Sequence, residues 1–588
     1  MSHRFSPRPN RAADAGWHEW GPEAFELART SERPILLGIS AVWCHWCHVM
    51  DETTYSDPRV LELIRERYVP IRVDTDRRPE VNARYNMGGW PTTAFLSPAG
   101  EVLTGATYVP PDEFVHLLER VAEVWRDDRA EIERRLAQRE RSDEAQKPPA
   151  ELDRREVERI ASAIVEQYDA EFGGFGDAPK FPQPDALRFL LFLYRRDRAA
   201  GRIDERLYEI LARTALAMGR GGMYDHVEGG FFRYSTTRDW SIPHFEKMAE
   251  DHAGLIRFYA ELYRVSGNAE FAKTLRSALR YVRTVLRDPR TGLFAGSQDA
   301  DEAYFALPLE ERRRREAPFV DRTVYADWNA ALAAAFLAAS IALDDETLTG
   351  DALAALDALC TRMLGPGGLA LHFMPEDGVP QVGPILTDQV ALAGALLDAH
   401  AVTGEQRCLL RAKTLADATI ARFRRDDGAF VDAPTESALG NVRKAHAPLD
   451  ENAELAVVLL RLSAIVREER YAEVARRALA ALAGIAGRAG TFAAPYATAL
   501  ALALDEPLTV AVVGEAAESQ ALRDAALRLP DPRAIVYAVS PDDAPARGYL
   551  ESSTPLAYLC VGTRCAAPAD DAATLAESYD ALRQLLLR

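Results

Sequence analysis

The 588-residue sequence predicts a multidomain α/β plus all-α protein: an α/β block over residues 1–140, an (α/α)6 toroid over 151–505, and a small α/β unit over 506–588. Length supports this division, since one domain takes roughly 150 residues and the chain holds three or four such lengths. Hydrophobic periodicity supports it as well. Strand and helix patterns alternate early, helix follows helix in the middle, and strands return near the end.

In the first block, Pro34–Ala41 is a short apolar run suited to a buried strand. Asp57 followed by Pro58 reads as an N-cap with proline at the first helical position, opening a helix to about Arg67. Val69–Asp74 is a second strand, and Thr92–Leu96 with Glu101–Leu103 flanks the turn Ser97–Gly100 as a hairpin. A charged helix from about Asp112 fades into Arg139–Pro149, whose charges and Pro-Pro pair predict a linker.

From Leu152 onward, Val157, Ile160, Ala161, Ile164, Val165 and Tyr168 share one helical face, as do Leu255, Phe258, Tyr259, Leu262 and Tyr263. Such segments start near residues 154, 184, 204, 247, 268, 324, 349, 387, 405, 450, 469 and 491. Twelve helices suit six hairpins closed into a ring, whereas an open solenoid would repeat more evenly. The longer connections are rich in Gly, His and aromatic residues, which suits loops decorating one end of a closed barrel. After Asp505, Leu508–Val513, Arg533–Val539 and Leu556–Val561 read as strands, with a helix between the first two and a final helix over Ala572–Leu587.

The net charge of −19 disfavours nucleic acid and anionic membrane surfaces as partners. Met1–Gly16 has no apolar leader core, and the apolar stretch Ala330–Leu343 is too short for a bilayer, so a cytoplasmic protein is expected. Six cysteines are too few for a disulfide-built scaffold.

Two of those cysteines lie in Trp43-Cys44-His45-Trp46-Cys47-His48, directly after the first strand. At a helix N-terminus, unpaired backbone N–H groups favour the Cys44 thiolate, and Cys47, one turn on, can resolve a mixed disulfide. A c-type haem attachment would need export, and a zinc site would need ligands beyond the crowded His45 and His48. Pro91, in Gly88-Gly89-Trp90-Pro91-Thr92, starts a strand where a cis peptide would set a backbone edge opposite the dithiol. Asp74 at a strand end is a candidate proton carrier for Cys47 or a surface acid, and His48 a candidate catalytic or helix-packing group.

Cys44–Met50, Val73-Asp74 with Arg78-Pro79, and Gly89-Trp90-Pro91 together resemble the thioredoxin-domain family typified by spermatogenesis-associated protein 20. The resemblance implies a thioredoxin-like fold, with Cys44 as attacking thiol, Cys47 as resolving thiol and Pro91 as the cis-proline. Val42-Trp43 before the dithiol departs from the family pattern. The similarity continues through Gly173–Pro182, Gly221–His226, Gly229–Tyr234, Trp240–Met248, Asp251, Ser297–Asp301, Asp327–Asn329, Asp450–Asn452 and Tyr558–Cys565. Between Asp301 and Tyr325 the chain has only a short Arg-rich segment where many relatives carry a longer insert.

The family resemblance further implies a barrel like those of sugar 2-epimerases and six-hairpin glycosidases. His226 and His244 are candidate acid/base groups there, and Glu246, Asp225, Asp299 and Asp301 candidate paired carboxylates. Tyr224, Tyr234, Phe245 and Trp240 could form a stacking platform. Lys180, Arg233 and Lys247 could equally pair with these acids as structure. Cys560 and Cys565 could bind metal or form a disulfide, with two buried thiols the favoured reading; Cys360 and Cys408 are expected in the core.

The expected function is thiol–disulfide exchange by Cys44 and Cys47, without cofactor or metal. The alternatives are sugar epimerisation, isomerisation or hydrolysis at the barrel mouth, or a non-catalytic carbohydrate- or protein-binding module. The expected partner is accordingly a disulfide substrate or a sugar-like small molecule.

Overall fold

The structure, a computed structural model, describes residues 4–142, 150–376, 378–436, 438–550 and 552–587. Two compact units emerge, Met1–Lys147 with Asp432–His446 and Pro148–Val431 with Ala447–Arg588.

The first unit runs α1 (Pro22–Ser31), β1 (Ile35–Ser40), α2 (His45–Glu52), α3 (Pro58–Arg67), β2 (Val69–Asp74), α4 (Pro79–Tyr85), β3 (Thr92–Leu96), β4 (Val102–Ala106) and α5 (Pro111–Ser142). Its sheet has the order β2-β1-β3-β4, with β1 parallel to β2 and β3 antiparallel to β1 and β4. A parallel pair needs a crossover, which α2 and α3 supply. Every residue of β1 is buried because both faces are covered. Leu37, Ile39 and Ile71 pack with Phe25 of α1 and Tyr85 of α4, while Leu36 and Phe95 pack with Ile64 of α3 and Phe114 of α5. This is a thioredoxin-like fold.

α3 begins as the sequence predicts, with the Asp57 carboxylate accepting from the Arg59 N–H at 2.8 Å. α5 continues through Arg139–Ser142, where a linker was expected; the rest of that segment, 143–149, lies outside the described residues. Residues 432–446 belong to this unit although they fall within the range read as barrel. They are held by the Arg84–Asp432 ion pair, by the Asn441 N–H donating to Tyr85 Oη (2.6 Å), and by Arg443 and Lys444 against Glu101 (3.0 Å each).

The second unit contains α6 (Arg154–Glu166), α7 (Pro184–Ala199), α8 (Glu205–Arg220), α9 (Ala249–Ser266), α10 (Ala269–Tyr281), the short α11 (Glu302–Phe305) and α12 (Leu309–Arg312), α13 (Ala326–Leu343), α14 (Glu346–Arg362), α15 (Leu386–Thr403), α16 (Gln406–Phe423), α17 (Leu449–Val466), α18 (Glu469–Ala486) and α19 (Ala494–Leu504). α7, α9, α13, α15, α17 and α19 touch in that order, and α19 returns to α7, closing an inner ring of six. Each has an outer partner: α8 on α7, α10 on α9, α14 on α13, α16 on α15, α18 on α17 and α6 on α19. The ring is an (α/α)6 toroid. α13 is long and apolar enough to cross a membrane by length and composition, but it is an inner helix, 72% buried within the ring.

Connections from inner to outer helices are short, two residues each at 267–268, 344–345, 404–405 and 467–468 and five at 200–204. Connections from outer to inner helices are long (167–183, 221–248, 363–385), so the elaborated end of the ring is the one where inner helices start. Short strands run there: β5 (Tyr234–Ser235) pairs with β6 (Pro243–His244), β7 (Lys247–Met248) with β8 (Ser297–Gln298), β8 with β9 (Val320–Asp321), and β10 (Val324–Tyr325) with β11 (Phe373–Met374).

These connections share a device legible only in three dimensions. The fourth residue of an inner helix grips a loop backbone through its side chain. Asn329 exchanges two hydrogen bonds with Phe294, Gln389 with Ala370, and Asn452 with Phe430, at 2.7–3.0 Å. His252 Nε2 accepts from the Phe231 N–H at 2.9 Å. A buried backbone amide left unpaired would cost about 1–3 kcal/mol, so each grip fixes where its inner helix begins.

The chain ends in β12 (Leu508–Val513), α20 (Gln520–Leu527), β13 (Ala534–Val539), β14 (Leu556–Val561), β15 (Arg564–Cys565) and α21 (Ala572–Leu587), with sheet order β13-β12-β14-β15. α20 packs against α15, where fully buried Arg523 donates from Nη2 to Thr403 O at 3.0 Å. One expectation is corrected here. Cys560 and Cys565 are not two buried thiols; they form a disulfide across the β14–β15 pair, with Cys565 exposed. Cys408 is buried as expected, and Cys360 is half-buried.

Candidate functional site

Cys44 is the N-cap of α2, with extended backbone (φ −81°, ψ 105°), and its Sγ accepts from the Cys47 N–H at 3.1 Å. That N–H, in the first turn of the helix, is shared with the Cys44 carbonyl oxygen (3.1 Å), and its partial positive charge points at the sulfur. Cys44 and Cys47 are joined by a disulfide, with Cα atoms 5.2 Å apart. Cys44 is 4% exposed; its neighbours His45 and Trp46 are exposed. The Trp90–Pro91 peptide is cis, and Thr92 pairs with Ile39, which sets Pro91 beside the end of β1 where the chain turns into the dithiol. Trp43 and Trp90 meet edge to face at 5.6 Å, tying the two segments together, and the Trp43 indole N–H donates to Asp76 at 2.7 Å.

His48 is half-buried, and burial lowers its pKa to about 4 against the pull of Asp51, so it is neutral at physiological pH. It adds no positive charge to the sulfur. Asp74 sits at the end of β2, where its Oδ1 accepts from the N–H groups of Asp76 (3.0 Å) and Arg77 (3.1 Å). The fully buried acid of α2 itself is Asp51, one turn beyond Cys47, paired with Arg72 at 2.7 Å. The sequence reading passed over this pair because an acid late in a short helix and an arginine in a strand look like surface residues.

In the barrel, several expected site residues have structural roles. Lys247 has no exposed surface and donates to Asp225 (2.7 Å) and Gly229 O (2.9 Å), and Arg312 of α12 donates to the same Asp225 (2.8 Å). Lys180 repeats this pattern with Asp169 (2.6 Å) and Gly173 O (2.9 Å). Gly229 and Gly230 both have positive φ, and a Cβ on Gly230 would fall 2.7 Å from the Tyr281 ring. The Gly-Gly-Phe signatures therefore build loops around a buried lysine.

Trp240, expected in a stacking platform, is fully buried, donating from its indole to Gly173 O at 3.2 Å. Tyr224 is buried against Phe231, and Phe245 packs with Phe232 and Phe305. His226 is exposed and contacts only the Gly221 carbonyl (3.0 Å) among its described hydrogen bonds. Asp301 caps α11, and Asp299 is buried, its Oδ1 accepting from the Ala300 N–H. The structure does bring together His244 and Glu246, 2.7 Å apart, with Tyr234 stacked on His244 at 4.9 Å. The Arg233 N–H donates to Glu246 O at 2.9 Å.

The barrel also carries a ring of carboxylates, none of them a site candidate from sequence although Asp251, Asp327, Asp450 and Glu451 lie in the segments that carry the family resemblance. Asp185, Glu250, Asp327 and Asp450 are each the second residue of an inner helix, and Asp251, Asp388 and Glu451 the third. Asp185, Glu250, Asp450 and Glu454 keep water-exposed surface. Enclosure first, and then neighbouring Asp327, push Glu250 up to about 7; Asp185 and Asp450 add to the rise and Arg233 opposes it. Enclosure does the same to Asp251 and Glu454, each raised to about 7. Asp327, His372 and Asp388 offer ligand atoms within 4.8 Å of one another, the one such group of three among the described residues. The available signal was the recurring acid at helix starts, but helix starts favour acids in any case.

These shifts carry a stability consequence. Glu250, Asp251 and Glu454 hold protons in the folded state that the unfolded chain, with carboxyl pKa values of about 4, has released. Their contribution to stability is therefore fully present near pH 4 and is lost as pH rises to about 7. His48, His252 and His400, whose pKa values burial lowers, titrate with the opposite sign, so the test isolates one enclosed carboxyl: Asp251→Asn is expected to move the balance of thermal stability toward pH 8 relative to the unaltered protein. A pH 5 to pH 8 difference in thermal transition that is the same in both proteins contradicts the reading.

Residues 8–142 match the protein-family model Thioredox_DsbH, described as a protein of unknown function, DUF255. Over 308 residues, 48% of this chain and 38% of the relative, the chain is 35% identical to spermatogenesis-associated protein 20 of Rattus norvegicus. It spans about two fifths of the length of the curated relatives that it matches in this way. Over 95 residues, 16% of this chain and 17% of the relative, it is 27% identical to a thiol:disulfide interchange protein DsbD of Campylobacter jejuni. Among solved structures it is similar to a cellobiose 2-epimerase from Bacillus thermoamylovorans, with 13% identity and a TM-score of 0.46 over 55% of this chain and 85% of that one.

Proposed function

We propose that the thioredoxin-like unit is a thiol–disulfide oxidoreductase. The observation that carries this reading is the seat of Cys44 at the N-cap of α2, with the Cys47 N–H directed at its sulfur. In the reduced state the Cys44 thiolate attacks a substrate disulfide, forming a mixed disulfide and releasing one substrate thiolate. The Cys47 thiolate then attacks Cys44, closing the Cys44–Cys47 bond and releasing the second substrate thiol. A 27%-identical stretch in a thiol:disulfide interchange protein supports the same chemistry. The test is insulin reduction with dithiothreitol as electron donor. Acceleration over dithiothreitol alone is expected, and a rate equal to that background overturns the proposal.

A second reading concerns the barrel. Carboxylates raised to about 7 beside the His244–Glu246 pair provide proton donors and acceptors at one mouth, the equipment for acid/base chemistry on a sugar-like molecule. The carboxylate ring disfavours phosphorylated ligands. Incubation with neutral sugars in deuterated water checks this reading. Deuterium at C2 or a released reducing end supports it, and neither product from a panel of sugars removes it.

A further inference from the structure

The disulfide between Cys560 and Cys565 is placed unlike a structural staple. It links residues directly opposite each other on β14 and β15, a hairpin that backbone pairing already closes. Closing so short a loop removes less freedom from the unfolded chain than a long-range bridge would, so its contribution to stability lies at the low end of the range for disulfides. Neither cysteine belongs to the core of this terminal sheet, which is built from residues such as Val510, Val512, Leu559, Val561, Leu575 and Leu582.

Accessibility differs between the two sulfurs' residues. Cys560 sits on an inner strand, paired with Thr509 on its other side. Cys565 lies on β15, the edge strand, and both residues of that strand are exposed. An exposed edge strand is the element that another chain can take up in extended form. Cys565 therefore offers a disulfide sulfur on a strand open to capture.

We propose that Cys560–Cys565 is a redox-active disulfide, reduced by the Cys44/Cys47 pair of a second copy of this chain. This inference rests on the exchange activity proposed above. The Cys44 thiolate attacks Cys565 Sγ, so the Cys560–Cys565 bond breaks, a Cys44–Cys565 bond forms, and Cys560 leaves as a thiolate that takes a proton from water. The Cys47 thiolate then attacks Cys44 Sγ, forming Cys44–Cys47 and releasing Cys565 as a thiolate. Two electrons pass from one pair to the other, and an external dithiol returns Cys44 and Cys47 to the reduced state.

The experiment mixes two full-length variants. One carries C560S and C565S and is pre-reduced, then freed of reductant; the other carries C44S and C47S with its Cys560–Cys565 bond intact. Thiols are blocked with N-ethylmaleimide at intervals and counted by peptide mass spectrometry. Reduction of Cys560–Cys565 at least about tenfold faster than by equimolar dithiothreitol is expected, as is a Cys44–Cys565 adduct when the donor also carries C47S. No acceleration, from a donor that reduces insulin disulfides, overturns the inference and leaves the exchange activity standing. A donor that reduces neither substrate overturns both.

Discussion

Cys44→Ser is expected to lower insulin disulfide reduction by on the order of a thousandfold, to the background of the external reductant, because it removes the attacking sulfur. Cys47→Ser should give a different failure. Its backbone N–H, which bonds the Cys44 sulfur at 3.1 Å, is unaffected by the side-chain change, so Cys44 keeps its activation. The first attack then proceeds and the mixed disulfide has no internal route to resolution. Covalent adducts through Cys44 should accumulate in this variant and be absent from Cys44→Ser. If Cys44→Ser keeps most of the activity, or if the adducts form through Cys47, the roles given to the two sulfurs are wrong.

The second large effect concerns stability. Asp225 is buried between two buried cations, Lys247 at 2.7 Å and Arg312 at 2.8 Å. Burial alone would raise its pKa, and those two cations hold it below the ordinary carboxylate value. Asp225→Ala leaves both cations without their shared partner, and breaking a buried ion pair in this way costs about 3–5 kcal/mol. Lys247→Met should cost less, because Arg312 still neutralises Asp225 and the methionine fills much of the lysine's space. Thermal unfolding of the two variants checks this ordering. An Asp225→Ala loss below about 1 kcal/mol, or a larger loss for Lys247→Met, would show that the cluster is not a structural post.

The same cluster shows where sequence reasoning reaches its limit. Asp225 and Lys247 lie in a segment dense in Gly, His and aromatic residues, and nothing local separates an acid that meets solvent from one that seats a buried lysine. The difference is made by Arg312, 87 residues away. The carboxylates that do surround the barrel mouth were hidden for a related reason. Asp185, Glu250, Asp327 and Asp450 each read as an ordinary acid in a first helical turn, and only ring closure brings them near one another. By contrast, the ring was legible because outer helices such as α6, α8 and α10 each carry an apolar stripe while inner ones such as α13 and α15 are apolar nearly all round, so twelve helical segments can be counted along the chain. The dithiol was legible because strand, Cys-x-x-Cys and helix are contiguous, so local rules place Cys44 at the helix start.

Residues 432–446 show a second kind of limit. Their place in the first unit depends on Arg84, Tyr85 and Glu101, more than 300 residues away in sequence. Cys560 and Cys565 show a third. A spacing of five fits a turn of helix, a metal loop or a hairpin equally well, and only the register of β14 on β15 makes it a disulfide.

Activation of the Cys44 sulfur by the helix start is tested most directly by the pH dependence of Cys44 alkylation in the reduced, full-length protein, followed by peptide mass spectrometry. The expected result is a Cys44 midpoint well below the free-thiol value of about 8.5, with Cys47 reacting more slowly at every pH. A Cys44 midpoint at or above that value, or faster alkylation of Cys47, contradicts it.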